Sequence, residues 1–165
     1  MSKDLNEFKS GKVNVFNVEQ GKIVETEMVF KPEEEWQKIL SAQEFKIAFK
    51  QGTERPFSGR WNANKKKGVY RSKISGNDLF HSDNKFDSGT GWPSFYQPVD
   101  EKNIILKEDN TLFMKRVEVL DRVSGAHLGH VFNDGPPPTG LRYCINSDAL
   151  DFVEGVGYKD PPKGE

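Results

Sequence analysis

Short runs of β-branched and aromatic residues, separated by Gly, Asn, Asp and Pro, fill the sequence after Thr53. Such runs are typical of β-strands, and the residues between them are typical of tight turns. Most of the chain is therefore predicted to form small antiparallel sheets. The candidate strands are residues 68–72, 78–81, 112–120, 126–132 and 141–147.

The first fifty residues have a different pattern, which predicts a hairpin followed by two helices. Residues 13–29 alternate loosely around a central glycine, which predicts a β-hairpin. Pro32 is followed by three glutamates, and both features favour the first turn of a helix. Ser41 and Glu44 have the spacing of a capping box, so a second helix is predicted over residues 42–50.

The length of 165 residues fits one ordinary domain, which can bury a core without metal ions or disulfides. We expect an N-terminal arm over residues 1–30, a single domain over residues 31–153 and a flexible tail over residues 154–165, which is rich in Gly, Pro and charge. The predicted fold class is mainly β (α+β). It consists of two small antiparallel sheets packed together, preceded by two short helices and an N-terminal β-hairpin arm.

Composition limits the kinds of partner and of site. A net charge of −1 and a pI near 6.3 give no overall attraction to nucleic acid or to anionic membranes. No segment resembles a membrane span, and the first residues lack the apolar core of a secretory signal. Cys144 is the only cysteine, which excludes an intramolecular disulfide and a zinc site of several thiolates. A reducing cytoplasm is the expected location, with a processed exported form left open.

The segment around Cys144 carries the clearest chemical signal. Alternate residues of a strand share a face, so Arg142, Cys144 and Asn146 are predicted to point one way. Tyr143 and Ile145 then point into the core. A guanidinium beside a thiol favours the reactive thiolate, whereas the alternative is a buried and inert cysteine.

Two of the three histidines, His127 and His130, lie on a predicted strand. A spacing of three residues does not keep both on one face of a flat strand, but Gly129 between them permits a bulge that re-aims one ring. Histidines close to a cysteine suggest a general acid or base beside a nucleophile. Two structural histidines, or two ligands of a metal, remain alternatives.

Residues 86–95 form a Gly-rich turn that leads into Trp92 and Pro93. Pro93 holds Trp92 in an extended conformation, and an indole fixed near the surface can receive a methyl or sulfur group on its face. A core tryptophan is the alternative. The turn lacks the third glycine, the strand and the helix of a dinucleotide-binding fingerprint, so that site is excluded.

Four blocks together resemble the methionine-R-sulfoxide reductase family, the B-type peptide methionine sulfoxide reductases. These blocks are residues 52–59, 86–95, 126–132 and 140–147, and the resemblance extends from Trp36 to Phe152. It implies a fold of two antiparallel sheets. It also implies reduction of the R epimer of methionine sulfoxide, in proteins or peptides, to methionine.

The resemblance implies a role for each site residue. Cys144 matches the nucleophile that attacks the sulfoxide sulfur and becomes a sulfenic acid, and His130 matches the acid that protonates the sulfoxide oxygen. The other matching positions are His127 as the partner of His130, Arg142 and Asn146 beside the thiol, and Trp92 with Phe132 around the substrate methyl group.

The sequence departs from the family pattern in two places. Many members bind a structural zinc through two Cys-x-x-Cys pairs, but the matching positions here are Ser72, Ser75, Asp121 and Ser124. We therefore expect a zinc-free member, stabilised by core packing and by the N-terminal arm. Some members place a resolving cysteine two residues before the tryptophan, where this chain has Thr90.

Without a second thiol, the sulfenic acid must be recycled by an external one. The expected reductant is thioredoxin, glutathione with glutaredoxin, or a small dithiol, and no bound cofactor is expected. The other expected partners are oxidised proteins or peptides, without nucleic acid or membrane, and the chain is expected to be a monomer. A ligand-binding module without catalysis and a cysteine hydrolase are the competing functions.

Overall fold

The computed structural model describes residues 11–159, and it begins with the predicted hairpin. Strands β1 (Lys12–Asn17) and β2 (Lys22–Glu27) pair antiparallel, with Val15 opposite Val24. The two predicted helices follow as α1 (Glu33–Ile39) and α2 (Ala42–Lys50). Both hydrogen bonds of the predicted capping box are present at Ser41 and Glu44, so the hairpin and both helices are confirmed. Residues 1–10 of the predicted arm and 160–165 of the predicted tail lie outside the described residues.

The remaining strands form two antiparallel sheets. The six-stranded sheet has the order β5-β6-β10-β9-β8-β7, and the three-stranded sheet has the order β11-β3-β4. The bounds are β3 Gly68–Ser72, β4 Asp78–His81, β5 Lys85–Phe86, β6 Ser94–Phe95, β7 Ile104–Asp109, β8 Arg116–Asp121, β9 His127–Phe132, β10 Arg142–Ile145 and β11 Leu150–Glu154.

Two predicted strands are shorter in the structure by several residues, and four strands, the two-residue β5 and β6 and the longer β7 and β11, were not predicted. The strand predicted from residue 112 begins only at Arg116, because Thr111–Phe113 forms a single 3₁₀ turn. The strand predicted to residue 147 ends at Ile145, where the chain turns into another 3₁₀ segment. Strands β7 and β11 were not predicted because charged residues, Lys107, Glu108 and Asp109 in β7 and Asp151 and Glu154 in β11, interrupt the short apolar runs by which a strand is identified.

The main core lies between the two sheets. Phe80 of the small sheet stacks on Phe95 of the large one, with ring centroids 4.5 Å apart, and Tyr70 packs edge-on against the same Phe95. Tyr143 and Ile145 are buried in this core, as their alternation with Cys144 predicted. The outward residues of β10 are therefore free to build a site on the opposite face of the sheet.

The hairpin is fastened to the body of the chain by buried hydrogen bonds. The amide of Phe16 donates to Asn103 Oδ1 at 2.8 Å, and Asn103 Nδ2 returns a bond to the carbonyl of Phe16 at 2.9 Å. The amide of Val18 donates to Asp78 Oδ2 at 2.9 Å. Phe16 and Val18 pack with Val99 in a separate apolar cluster.

The residues just after β11 also contact this part of the fold. The Tyr158 ring stacks on His81, and its hydroxyl donates to the carbonyl of Val99 at 3.0 Å. The buried His81 side chain is hydrogen-bonded to the carbonyl of Val156. Of the tail predicted over residues 154–165, Glu154 thus belongs to β11, and Val156 and Tyr158 lie beside the cluster that receives the hairpin.

Deletion of residues 1–30 is expected to lower the free energy of unfolding by roughly 3 kcal/mol, because it exposes the apolar surface that Phe16 and Val18 cover. Thermal melting of the deleted and full chains measures the effect. A deletion of residues 1–10 is the matched control, since it leaves the hairpin and its bonds to Asn103 and Asp78 in place. Equal melting temperatures for the full chain and the longer deletion would rule out a stabilising role for the hairpin.

Candidate active site

The register of the large sheet places Cys144 at the centre of the site. Strand β10 lies between β6 and β9, so Cys144 is directly opposite Ser94 on one side and His130 on the other. Arg142 is opposite Phe132 in the same pairing. Opposed residues of an antiparallel pair share a face of the sheet, so thiol, imidazole, guanidinium and phenyl ring project from one surface.

A pocket of about 220 Å³ opens on this surface. It brings together six of the seven residues that the sequence analysis assigned to the site, which are Trp92, His130, Phe132, Arg142, Cys144 and Asn146. Thr53, Thr90 and Arg116 also line it. The seventh residue, His127, does not line the pocket.

A bulge in β9 brings His127 against His130. Leu120 pairs with His127 and Val119 pairs with Gly129, so Leu128 is the extra residue. The two imidazole rings consequently meet edge to face, with centroids 5.4 Å apart. The predicted bulge is present, and His127 contacts His130 from the buried side.

Gly129 allows two strands to approach closely at this point. A Cβ on Gly129 would lie 2.0 Å from the carbonyl oxygen of Cys144. Because that oxygen is backbone, a side chain at this position would force β9 and β10 apart. The glycine thus serves the packing around Cys144 as well as the bulge.

Each histidine is held by a carboxylate. His130 Nε2 lies 2.8 Å from Asp109 Oδ2, and His127 Nδ1 lies 2.6 Å from Glu118 Oε2. Burial alone would raise the pKa of both carboxyls, but the hydrogen bonds from the histidines lower the pKa of Glu118 and hold that of Asp109 well below its usual range. Both carboxylates are therefore ionised at neutral pH, and each fixes a proton on the nitrogen that it faces.

The pKa of His130 is lowered, chiefly by burial, although the bond to Asp109 opposes this effect. The ring is consequently neutral at pH 7, with its proton on Nε2 toward Asp109. Its other nitrogen, Nδ1, is then an acceptor that can take up a proton and return it. This is the property required of a proton carrier beside a nucleophile.

The electrostatics of Cys144 differ from the expectation in one respect. Burial raises the pKa of the thiol, and the Arg142 guanidinium lowers it by a smaller amount. Arg142 is also engaged elsewhere, since its Nε lies 2.9 Å from Asp134 Oδ1 and it covers the ring of Phe132 at 4.5 Å. Arg142 acts in the predicted direction, but burial outweighs it, and the resting side chain is a thiol.

Glu54 connects the two sides of the pocket, and its contribution was missed by the sequence analysis. Its carbonyl accepts from Trp92 Nε1 at 3.0 Å, and its amide donates to Asn146 Oδ1 at 3.0 Å. Its buried carboxylate accepts from the amide of Asp148 at 3.0 Å. Glu54 lies in the block 52–59, one of the four that carry the family resemblance, and this position was the available signal. A glutamate in a loop is ordinarily exposed, so its burial beside the pocket was not predicted.

Asp109, Arg116 and Glu118 were also missed. Asp109 meets its two partners only through the pairing of β7, β8 and β9, which places its carboxylate 3.3 Å from the Arg116 guanidinium and 2.8 Å from His130 Nε2. Of these three residues, only Glu118 could have been recognised from its neighbours, because it is a charged residue between two valines of a predicted strand. A buried charge in that position needs a partner, and His127 supplies it.

The four positions that match zinc ligands lie on two turns of the same geometry. In each turn the amide of a glycine, Gly76 or Gly125, donates to the carbonyl of the first residue, Ser72 or Asp121, at 2.8 Å and 2.7 Å. Both glycines have a positive φ, 76° and 75°, which a side chain rarely adopts. The two turns face each other across the buried Asp121.

Asp121 joins these turns through four hydrogen bonds. Its Oδ2 accepts from the hydroxyls of Ser75 at 2.6 Å and Ser124 at 2.5 Å. Its Oδ1 accepts from Asn77 Nδ2 at 3.0 Å and from the amide of Val123 at 3.2 Å. The set does not fit zinc, because hydroxyls are poor zinc ligands and the single carboxylate is already saturated with donors. We call this group the Asp121 clasp.

No cluster of three or more His, Cys, Asp or Glu side chains within residues 11–159 is arranged to hold a metal ion. No helix in the same range combines the length and the apolar character that crossing a bilayer requires.

Comparison with known proteins matches the SelR domain family to residues 40–154 of the chain. Among its relatives is a peptide methionine sulfoxide reductase MsrB of Methanosarcina barkeri, 55% identical over 75% of this chain and 87% of the relative. The protein of the same name from Methanosarcina mazei is 52% identical over 75% of this chain and 89% of the relative. That of Pseudomonas putida is 50% identical over 72% and 90%.

Proposed function

The chain belongs to the SelR domain family, and from this premise we propose that it reduces methionine-R-sulfoxide in proteins or peptides to methionine. Such an enzyme is an oxidoreductase. The observation that carries the proposal is the pairing of Cys144 with His130 on adjacent strands, in the lining of a pocket to which Trp92 also contributes. A ligand-binding module needs neither a thiol nor a proton carrier at that point.

The first step transfers the thiol proton. Cys144 begins as a thiol and His130 as a neutral imidazole, so Nδ1 of His130 accepts the proton and leaves a thiolate. The imidazolium then protonates the sulfoxide oxygen, which makes the sulfur electrophilic. Asp109 is a positioning residue for this step, because it fixes the tautomer and stabilises the positive ring.

The second step transfers the oxygen. The thiolate sulfur attacks the protonated sulfoxide sulfur, and the hydroxyl passes to Cys144 as the sulfide leaves. The balance is Cys144–SH + R₂S=O → Cys144–S–OH + R₂S, in which Cys144 is oxidised by two electrons and the sulfoxide is reduced by two. The product on the enzyme is a sulfenic acid, the first and reversible stage of cysteine oxidation.

The shape of the pocket supports selection of one epimer. A sulfoxide sulfur carries a methyl group, an oxygen and the side-chain methylene at three corners of a pyramid. The indole of Trp92 and the ring of Phe132 offer an apolar wall to the methyl, while His130 offers a proton to the oxygen. The opposite epimer, with its chain held in the same direction, would turn its oxygen toward the indole of Trp92, whose N–H already donates to the carbonyl of Glu54, so the oxygen would find no hydrogen-bond donor there.

Recycling requires a thiol from outside the chain. Cys144 is the only cysteine in the sequence, and Thr90 occupies the position of the resolving cysteine. The external thiol attacks the sulfenic sulfur and releases water, and a second thiol then frees Cys144 and leaves a disulfide. Thioredoxin, or glutathione with glutaredoxin, is the proposed reductant, and we propose that the chain acts as a monomer in a reducing cytoplasm.

A single-turnover experiment tests the proposed function. Pre-reduced enzyme is mixed with less than one equivalent of the R- or S-sulfoxide of a methionine peptide, and both the product and the mass of the Cys144 peptide are measured. We expect reduction of the R epimer alone, with one oxygen added to Cys144. The S epimer is the matched control. Failure to reduce either epimer by a folded, reduced sample would overturn the proposal in favour of a binding module.

The same experiment has an expected pH profile. Turnover needs one proton shared between Cys144 and His130, so the rate falls when both are protonated and when both are deprotonated. Burial lowers the pKa of His130 from 6.5 and raises that of Cys144 from 9.0. The rate of the oxygen transfer is therefore expected to be flat between these two values. A steady rise across that range would instead indicate that a thiolate alone limits the reaction.

A further inference from the structure

The pocket is too small to enclose a polypeptide. Its volume of about 220 Å³ is below the roughly 300–1,000 Å³ of most small-molecule sites. It can take the side chain of a methionine sulfoxide residue but not the residues on either side. In a protein or peptide substrate, those neighbouring residues must lie on the surface around the mouth of the pocket.

An exposed phenylalanine, Phe57, lies on a tight turn beside this mouth. The amide of Ser58 closes the turn by donating to the carbonyl of Arg55 at 3.2 Å, and Pro56 occupies the second position. Phe57 occupies the third position with a φ of 65°. A positive φ there is the mark of a type II turn, in which glycine or asparagine is the usual residue. The chain thus places a large apolar side chain where the backbone favours glycine.

The turn is fastened to the wall of the pocket. The amide of Phe57 donates to the carbonyl of Gly91 at 2.8 Å, and Trp92 Nε1 donates to the carbonyl of Glu54 at 3.0 Å. The Phe57 ring lies against Gly91, because a Cβ on that glycine would be 2.8 Å from Phe57 Cδ2. Gly91 directly precedes Trp92, which lines the pocket. The phenyl ring is therefore carried by the same backbone that positions the indole.

Packing does not account for the Phe57 side chain. The residue is 70% exposed, so most of its ring faces water. A single exposed apolar side chain is ordinary on a protein surface, but this one is also held at an unfavourable φ. Residues held in such sparsely populated conformations concentrate at binding and catalytic sites. The strain, the exposure and the position beside the pocket together favour a role in binding.

We propose that the Phe57 ring binds the residues next to methionine sulfoxide in a substrate polypeptide, and that it binds apolar neighbours best. This inference rests on the proposed function, since it concerns how the same site recognises its substrate. Contact between the ring and an apolar side chain removes the surface of both from water. Phe57 is a specificity residue and not a catalytic one, because the pocket that receives the reacting atoms is lined by other side chains.

The proposed contact has a distinct kinetic signature. It lies outside the pocket, so it is made equally in the bound substrate and in the transition state. An interaction of this kind lowers KM and leaves kcat unchanged. Its loss is also visible only with substrates that have an apolar residue for the ring to touch.

The test compares three R-sulfoxide substrates, with dithiothreitol as the reductant. They are N-acetylmethionine sulfoxide methylamide, a pentapeptide with leucine on both sides of the sulfoxide, and the same pentapeptide with glycine on both sides. For the unmodified chain we expect kcat/KM to be roughly three- to tenfold higher for the leucine peptide than for the glycine peptide. In Phe57→Ala, the value for the leucine peptide is expected to fall to that of the glycine peptide through a higher KM. The values for the other two substrates are expected to stay within about twofold.

Two further variants separate the ring from the backbone and from general surface effects. Phe57→Gly removes the ring and suits the positive φ, so it is expected to lose the same preference and to melt no lower than Phe57→Ala. Ile39→Ala removes an exposed apolar side chain from α1 and is expected to keep the preference. Loss of the preference in Phe57→Ala but not in Phe57→Gly would assign the effect to the backbone and overturn the inference.

Three other results would also overturn it. One is a preference for leucine that persists in Phe57→Ala, and another is an equal loss for all three substrates, which would mean that the ring only supports Trp92. The third is a KM for thioredoxin that rises in Phe57→Ala while the peptide preference persists, which would assign the ring to the reductant.

Failure of the proposed function is a separate outcome, because the unmodified chain would then reduce none of the three substrates. Binding of the two pentapeptides to Cys144→Ser chains, with and without Phe57→Ala, makes the same comparison without turnover. The Kd of the leucine peptide is expected to rise roughly three- to tenfold when the ring is removed. An unchanged Kd would overturn the inference.

Discussion

The Cys144→Ser variant is expected to fold like the unmodified chain and to lose sulfoxide reduction by roughly 10⁴-fold or more. A serine hydroxyl is a far weaker nucleophile toward sulfur, and it cannot carry the transferred oxygen as a reversible oxidation state. Cys144 is half-buried and makes its contacts through Arg142 and Thr90, so a serine fits the same space. Turnover of the R epimer with an excess of dithiol measures the loss.

Binding separates loss of catalysis from loss of structure. Cys144→Ser retains Trp92 and Phe132, so it is expected to bind the R-sulfoxide with an affinity close to that of the unmodified chain. Cys144→Ala is the companion variant, since it removes any hydrogen bond of the new hydroxyl. Reduction that persists above about one per cent in both variants would mean that the nucleophile lies elsewhere.

The Asp121→Ala variant is expected to lower the free energy of unfolding by roughly 3–5 kcal/mol. It removes one carboxylate from a site without solvent access and leaves four donors without their acceptor. Two of these donors, Ser75 and Ser124, lie on the two different turns that the carboxylate joins. Urea unfolding, followed by circular dichroism, measures the effect.

Two further variants make this result specific. Asp121→Asn keeps one accepting oxygen for Asn77 and Val123 but presents an NH₂ group to the two serines, so we expect a loss of roughly half that size. Asp151→Ala removes an exposed carboxylate from β11 and is expected to change the stability by no more than about 0.5 kcal/mol. A similar small change for Asp121→Ala would show that the clasp does not hold the turns together.

The parts of the fold that follow from local chemistry could be predicted from the sequence. The hairpin, the capped second helix and the inward direction of Tyr143 and Ile145 all depend on residues within a few positions of one another. Strand β7 could not be predicted, because its sequence mixes apolar and charged residues and its identity as a strand depends on pairing with β8.

The same division applies to the candidate site. The common face of Arg142 and Cys144 follows from strand alternation, and it is present in the structure. Asp109 lies 21 positions before His130, and only the β7–β8–β9 pairing brings their side chains together. The protonation state of Cys144 could not be predicted from the sequence either, because it depends on how deeply the folded sheet buries the thiol.

The Asp121 clasp has a consequence for the conditions in which the fold survives. It is built from hydroxyl and carboxylate oxygens, and peroxide has no atom in it to oxidise. Thiolates around a zinc ion would be oxidised on exposure to peroxide and would release the metal. We therefore expect the two turns to keep their structure whatever the zinc supply, in the presence of chelators, and on exposure to the oxidant that creates methionine sulfoxide.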